Sequence, residues 1–297
     1  MKIIFLGTAS LSPLKDRNPT SIFIRYNGDN ILVDCPEGTQ RQLRMLDISP
    51  TKIDKILITH WHGDHVFGLI PLLQTMTVAQ YSKTLEIFGP KNSKEYLDKI
   101  MQMFVKKDEI KYNLKEIKKD GVFFENENYY LEAKKLDHST ICLGYAFVEK
   151  DKKTINLGYM KKFKLTKHPL LGKLQKGGDI TYKGDKISAK EATIFKKGKK
   201  IAIVLDTKIC QGCFDIAKDA DVLITESTFL KDLENLAKER KHLTAEQAAL
   251  IAKQANVKNL YLTHFSQRYK DTKDTEKEAK SIFKNTVCAE DFMEINL

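Results

Sequence analysis

Thr59-His60-Trp61-His62-Gly63-Asp64-His65 follows directly on the apolar run Ile56-Leu57-Ile58 and packs four potential metal ligands into six residues. Side chains alternate along a strand, so His60 and His62 leave its end on the same side. Gly63 lets the backbone turn, and Asp64 and His65 open the next segment. Imidazoles with one carboxylate suit zinc, with manganese or iron as alternatives, and the mixture favours a catalytic site over a closed structural one. One ion cannot readily take all four groups at this spacing. Two adjacent ions can, and paired metals are a recurring device for hydrolysing phosphate esters.

Outward from this string, short apolar runs bounded by turns alternate with amphipathic stretches. The pattern predicts strands over 2–7, 21–25, 31–34, 55–59, 85–88, 129–134, 141–148, 200–206, 221–225, 259–263 and 292–296. It predicts helices over 39–46, 65–80, 93–105, 229–241, 244–256 and 275–283. Near alternation of the two implies an α/β layered architecture. The strand Lys55-Ile56-Leu57-Ile58-Thr59-His60 has a partial echo in Lys258-Asn259-Leu260-Tyr261-Leu262-Thr263-His264. The echo suggests two similar half-domains, each delivering a histidine at a strand end, where open α/β sheets place their sites.

The paired-metal reading still lacks ligands, because a catalytic metal takes about three protein groups. His138 lies just after a predicted strand and His264 ends the echo strand, so both are candidates. Asp206 follows the apolar run Ile201–Leu205 and reads equally well as a carboxylate bridging two metals or as an N-cap or turn aspartate. His242 begins a helical stretch, and His168 stands apart in a basic segment.

That segment breaks the pattern. Residues 152–178 carry eight lysines and no acidic residue, with Tyr159, Phe163, Pro169 and four glycines among them. It reads as an excursion from the globular body with a face suited to phosphates. The formal charge of +11 agrees, since a basic excess fits a polyanionic partner. Five scattered cysteines argue against a disulfide framework. Cys210-Gln211-Gly212-Cys213 is a lone CxxC, read as small buried or loop thiols ahead of a structural zinc or redox pair. The apolar run at the start of the chain is too short for a secretion signal and reads as a first strand. No stretch approaches the length of a membrane span. The expectation is a soluble, cytoplasmic protein.

Together these residues resemble the ribonuclease Z family, the tRNA 3′-processing endonucleases of the metallo-β-lactamase superfamily. The resemblance is carried by Phe5-Leu6-Gly7-Thr8, Lys15-Asp16-Arg17-Asn18, Glu37-Gly38-Thr39-Gln40-Arg41-Gln42-Leu43, Thr59–Gly68, Leu136–Tyr145, Thr244–Ala249 and Leu262–Tyr269, which run from end to end of the chain. It implies a single catalytic domain over 1–297, built as an αββα sandwich, with a protruding, flexible, tRNA-binding arm inserted at 151–179. By motif position, His60, His62 and His138 would hold one zinc, and Asp64, His65 and His264 the other. Asp206 would bridge them, and manganese could substitute.

The implied reaction is removal of the 3′ trailer from precursor tRNA by a hydroxide bridging the metals, leaving a tRNA 3′-hydroxyl. Asp64 would accept the proton of the attacking water and His242 would protonate the leaving 3′ oxygen. Lys15, Arg17 and Asn18, and Ser139 and Thr140 beside His138, would hold phosphates. Lys161, Lys162, Lys164 and Lys173 would grip the tRNA body, in a homodimer whose arm serves the neighbouring subunit. The chain departs from the family pattern at His168-Pro169, Pro36, Ala9 and Leu205, and Thr225-Glu226-Ser227-Thr228 lacks the histidine that often begins that motif. None of these removes a metal ligand. The competing readings are a small-molecule hydrolase of the same fold, such as a thioesterase or lactonase, and a non-catalytic tRNA-binding protein.

Overall fold

The apolar runs of the first half become β1 (Lys2–Gly7), β2 (Ser21–Tyr26), β3 (Asp29–Val33), β4 (Lys55–Leu57), β5 (Leu85–Pro90) and β6 (Tyr112–Ile117). A second series starts with β7 (Gly121–Glu125), β8 (Tyr129–Asp137) and β9 (Ile141–Glu149). Four short strands follow: β10 (Lys152–Ile155), β11 (Ile180–Tyr182), β12 (Asp185–Ile187) and β13 (Thr193–Lys196). The chain then returns as β14 (Lys200–Val204), β15 (Val222–Glu226), β16 (Asn259–Thr263), β17 (Thr286–Cys288) and β18 (Glu294–Asn296). This computed structural model describes residues 1–102 and 110–297. It divides into one unit of Met1–Phe124, Leu131–Phe147 and Lys200–Leu297 and a second of Glu125–Tyr130 and Val148–Lys199.

The first unit is organised by two seven-stranded sheets, ordered β18-β1-β2-β3-β4-β5-β6 and β17-β16-β15-β14-β9-β8-β7. Each contains a run of parallel strands, β3 to β6 in one and β14 to β17 in the other. The sequence echo thus falls on two parallel strands in different sheets, β4 and β16. Strand alternation sorts the apolar side chains between two layers. Ile4 and Leu6 of β1 join Leu69, Leu72, Leu73 and Met76 of helix Leu69–Val78 in one core. Phe5 between them turns the other way, its ring 6.1 Å from Tyr261 of β16.

The sheets are joined directly. Tyr145 of β9 donates to the Ile58 carbonyl at 2.6 Å, and the Leu143 amide donates to the Thr59 carbonyl at 3.0 Å. Beyond the second sheet, helix Ala245–Gln254 opens on a capping box between Thr244 and Gln247 and lays Ala248, Ala249, Ile251 and Ala252 into the core. The result is the expected helix–sheet–sheet–helix layering. No helix among the described residues is long and apolar enough to cross a membrane.

Several predicted bounds shift. The helix expected over 65–80 is two, Gly63–Val66 and Leu69–Val78. Pro71 lacks the N–H that an unbroken helix would need for Phe67, so it sits in the first turn of the second helix. At the break, a Cβ on Gly68 would stand 1.9 Å from the Pro36 carbonyl oxygen, and the Gly68 amide donates to Cys35. The helix expected over 229–241 is shortened to Lys231–Leu233 and Glu234–Arg240. Phe229 instead pairs with Thr244 as an isolated bridge. The helix expected over 93–105 runs Ser93–Met101, and its last three positions lie outside the described residues. The final strand begins at Glu294 rather than 292.

The second unit contains the lysine-rich stretch and continues past it to Lys199. It has a core of its own, with Met160, Leu165, Leu174, Ile180 and Ile187 buried together. Two antiparallel pairs, β10 with β13 and β11 with β12, frame it. Lys161, Lys162, Lys164 and Lys173 are all exposed on this unit.

Candidate metal centre

Three residues of the centre sit just beyond strand ends in the left-handed backbone region: Asp34 (φ 57°), Asp206 (φ 42°) and His264 (φ 59°). Such a conformation is costly for residues other than glycine and persists where surrounding structure imposes it, typically at functional sites. Here it turns side chains from the ends of β3, β14 and β16 towards one another.

His60, His62, His138 and Asp206 bring four donor atoms within 4.8 Å of one another, and Asp64, His65, Asp206 and His264 do the same. Asp206 is common to both groups. Its Oδ2 lies 3.7 Å from His60 Nε2 and 3.9 Å from His138 Nε2. Its Oδ1 lies 3.4 Å from His65 Nε2 and 3.1 Å from His264 Nε2. Asp64 Oδ2 lies 3.6 Å from His65 Nε2 and 3.7 Å from His264 Nε2. All seven residues expected from the sequence therefore converge.

The imidazoles are oriented from behind. His60 Nδ1 meets the Thr59 hydroxyl at 3.0 Å, His65 Nδ1 meets Asp34 at 2.7 Å, His138 Nδ1 meets the Lys241 carbonyl at 3.0 Å, and His264 Nδ1 meets the Thr228 hydroxyl at 2.9 Å. Each of these four rings thereby aims Nε2 inward. His62 is reversed, with Nδ1 near His60 and His138 and Nε2 facing Ser139 at 3.4 Å. Outer partners of this kind fix the tautomer and angle of metal-binding histidines.

The donor set fits divalent cations on a further observation. His65 Nε2, Asp206 Oδ1 and His264 Nε2 are buried and have no hydrogen-bond partner among the described residues. Buried polar atoms are nearly always satisfied, so three orphans aimed at one point are an arrangement a cation would complete. Burial alone would raise the Asp206 carboxyl, but His264 and His65 hold it well below the ordinary carboxylate range, so it remains an anionic donor.

A cavity of about 530 Å³ opens over the centre, lined by Asp64, His138, His242, Arg240 and Arg268 among others. The half-buried His242 places Nδ1 3.1 Å from both oxygens of the buried Glu226. Burial disfavours a charged imidazole there, and the Glu226 carboxylate overrides it, raising His242 to about 9. Glu226 is itself fixed by the Thr207 amide at 2.7 Å and the Thr228 hydroxyl at 2.6 Å.

Ser139 lines this cavity, and Thr140 lines an adjacent one with Ser139. Lys15, Arg17 and Asn18 line a different, smaller cavity closed by Asp291. Asn18 is used structurally there, its amide nitrogen donating to Asp291 and its side chain to the Glu37 carbonyl.

The sequence pattern did not single out Asp34, Glu226, Thr228, Arg240 or Arg268 as site residues. Asp34 and Glu226 each end an apolar strand, the same signal that marks Asp206, and could have been found by it.

Residues 1–151 match the family model described as Anti-Pycsar protein Apyc1. That match takes in the Thr59–His65 string and His138 and ends before Asp206 and His264. Over nearly the whole chain, the sequence is 36% identical to Ribonuclease Z of Chlamydia caviae, covering 98% of this chain and 95% of that protein. It is 37% identical to Ribonuclease Z of Bacillus cereus, covering 98% and 97%. The crystal structure of human tRNase Z, short form (ELAC1), superposes with a TM-score of 0.74 at 28% identity, covering 100% of this chain and 99% of that one. With end-to-end similarity and a converged His/Asp cluster on two facing sheets, this chain belongs to the ribonuclease Z family and has its metallo-β-lactamase fold.

Proposed function

We propose that this chain is a metal-dependent endoribonuclease that removes the 3′ trailer from precursor tRNA. The observation that carries the reading is the pair of donor groups sharing Asp206, in a chain similar from end to end to proteins named Ribonuclease Z. His60, His62 and His138 would hold one ion and Asp64, His65 and His264 the other, with Asp206 common to both. An imidazole-rich set suits two zinc ions per subunit, with manganese a substitute. When bound, the ions supply Lewis acidity towards water and phosphoryl oxygens.

The remaining work falls to the chain. Asp64, steadied by the Leu11 amide on Oδ2, accepts a proton from the attacking water. His242 keeps a proton at neutral pH because of Glu226, and with Nδ1 so engaged it donates from Nε2 to the departing 3′ oxygen. Arg240 and Arg268 offer fixed positive charge to phosphates entering the cavity, beside Ser139. Lys161, Lys162, Lys164 and Lys173 hold the tRNA body through its backbone, since structured RNA is gripped largely by shape and phosphate. Lys15, Arg17 and Thr140 contact phosphates outside the main cavity, with Asn18 bracing the loop that carries Lys15 and Arg17.

The proposed assembly is a cytoplasmic homodimer in which the arm of one subunit serves the other. Met45, Phe67 and Val78 are large apolar side chains left exposed on or next to the adjacent helices Thr39–Met45 and Leu69–Val78, and a second copy would cover them. Purified protein incubated with trailer-bearing precursor tRNA should release the trailer with zinc or manganese and stop when a chelator is added. No cleavage with either metal supplied would overturn the reading.

A further inference from the structure

Cys210 and Cys213 stand outside everything the proposed reaction uses. Cys210 caps helix Gln211–Ala217 and Cys213 is its third residue, two positions whose side chains face each other across a first turn. Their sulfurs are 3.5 Å apart. Cys213 is fully buried, whereas half-buried Cys210 lines a cavity of about 750 Å³ with Ser139, Lys135 and Lys241. The other three cysteines are buried. Reactivity follows the same division: hydrogen bonds from Cys213 lower the Cys210 thiol to about 6, while Cys213 itself is pushed up. A low-lying, accessible thiol beside a resolving one is the arrangement of thiol–disulfide exchange sites.

We infer that Cys210 and Cys213 form a reversible thiol–disulfide site whose closure moves the loop carrying Asp206. The partner is a small-molecule disulfide. The Cys210 thiolate attacks one sulfur, making a mixed disulfide and expelling one thiolate, which takes up a proton. Cys213 then gives up its proton and attacks Cys210 Sγ, expelling the second thiolate. Two protein thiols are oxidised to one disulfide and the small disulfide is reduced to two thiols.

Closing the bond brings the sulfurs from 3.5 Å to about 2.05 Å. The helix start has little room to follow, because Gly212 packs close against β8, where a Cβ would lie 2.2 Å from the Lys135 carbonyl oxygen. The movement therefore falls on Cys210 and the short loop behind it. In that loop, Thr207 holds Glu226 through its amide, receives the Asp137 amide on its hydroxyl and lies 3.8 Å from Cys210 Sγ. Asp206 precedes it directly.

The test uses metal-loaded full-length protein equilibrated in glutathione buffers of increasing oxidised fraction, then acid-quenched, alkylated and mapped by mass spectrometry. The expected result is joint loss of two thiols with a Cys210–Cys213 cross-link, reversed by dithiothreitol. Phosphodiester cleavage by the oxidised form should fall about tenfold or more, since misplacing a site by an ångström costs up to about 100-fold. Cys210→Ser protein should stay active in oxidised glutathione; if it does not fold, reversal in the wild type carries the same information. Absence of the cross-link at every ratio, or a cross-linked protein of unchanged activity, overturns the inference. The loss of activity rests on the endonuclease reading, but the cross-link does not, so the two failures are separable.

Discussion

Asp34→Asn tests whether the centre depends on tautomer control. Asp34 is fully buried; its Oδ1 accepts the Thr59 amide at 2.8 Å, and its Oδ2 accepts both the Thr59 hydroxyl and His65 Nδ1 at 2.7 Å. The backbone amide cannot reverse, so asparagine must keep oxygen at the first position and put its NH₂ at the second. The threonine hydroxyl can rotate to accept. His65 can satisfy the new donor only by moving its proton from Nδ1 to Nε2, the nitrogen that faces Asp206 and Asp64. Loss of such an outer partner typically costs about 10–100-fold in metal affinity, or about 1.4–2.8 kcal/mol.

Only one of the two ion positions should suffer. Titration against a competing chelator should show one ion held as in the wild type and one weakened by that factor. Cleavage should fall at limiting metal and recover at excess, while thermal melting confirms that the variant is folded. Two ions retained at wild-type affinity would mean that Asp34 does not set the His65 tautomer.

Three other perturbations have expected outcomes. Tyr145→Phe strips the buried Ile58 carbonyl of its partner between the sheets and should cost about 1–3 kcal/mol in urea unfolding; an unchanged midpoint would count against that bond. Burial raises the Asp291 carboxyl from 3.8 to about 6, so the folded state binds its proton more tightly than the unfolded chain. That contribution to stability is present below about 4 and lost as pH rises through about 6, and Asp291→Asn should flatten this segment of a melting-temperature profile. Replacing Lys161, Lys162, Lys164 and Lys173 together by alanine should reduce the salt slope of tRNA binding by about 3, with turnover of a small phosphodiester unchanged; an unaltered slope would remove these lysines from the interface.

The parts of the fold that the sequence revealed are those with strong local periodicity. Ile56-Leu57-Ile58 and Leu260-Tyr261-Leu262 announce strands, and the histidines at their ends announce the centre. β6 was missed because Tyr112–Ile117 is a sheet-edge strand that mixes Asn, Lys and Glu with its apolar residues and so lacks a continuous apolar run. Pro71 carries a local sign of the break near Gly68, but the close approach that requires a glycine there, to the Pro36 carbonyl 32 residues away, is set only by folding. In the second unit, Met160, Leu165, Leu174 and Ile180 follow no simple period, and the lysines between them masked a core.

The same distinction holds at the site. The candidate ligand histidines stand out because histidine is rare in this chain, whereas Asp34 and Glu226 look like ordinary strand-end carboxylates. Only folding sets them behind His65 and His242.

In the proposed reaction, water activated at this centre attacks the phosphorus and the tRNA 3′ oxygen departs with a proton from His242. Cleavage of a precursor tRNA in ¹⁸O-labelled water, followed by mass analysis of both products, tests it most directly. The expected products are a trailer with one ¹⁸O in its 5′-phosphate and a tRNA with an unlabelled 3′-hydroxyl. A tRNA ending in a 2′,3′-cyclic phosphate or a 3′-phosphate would contradict that reaction, because the attacking or departing oxygen would then be a different one.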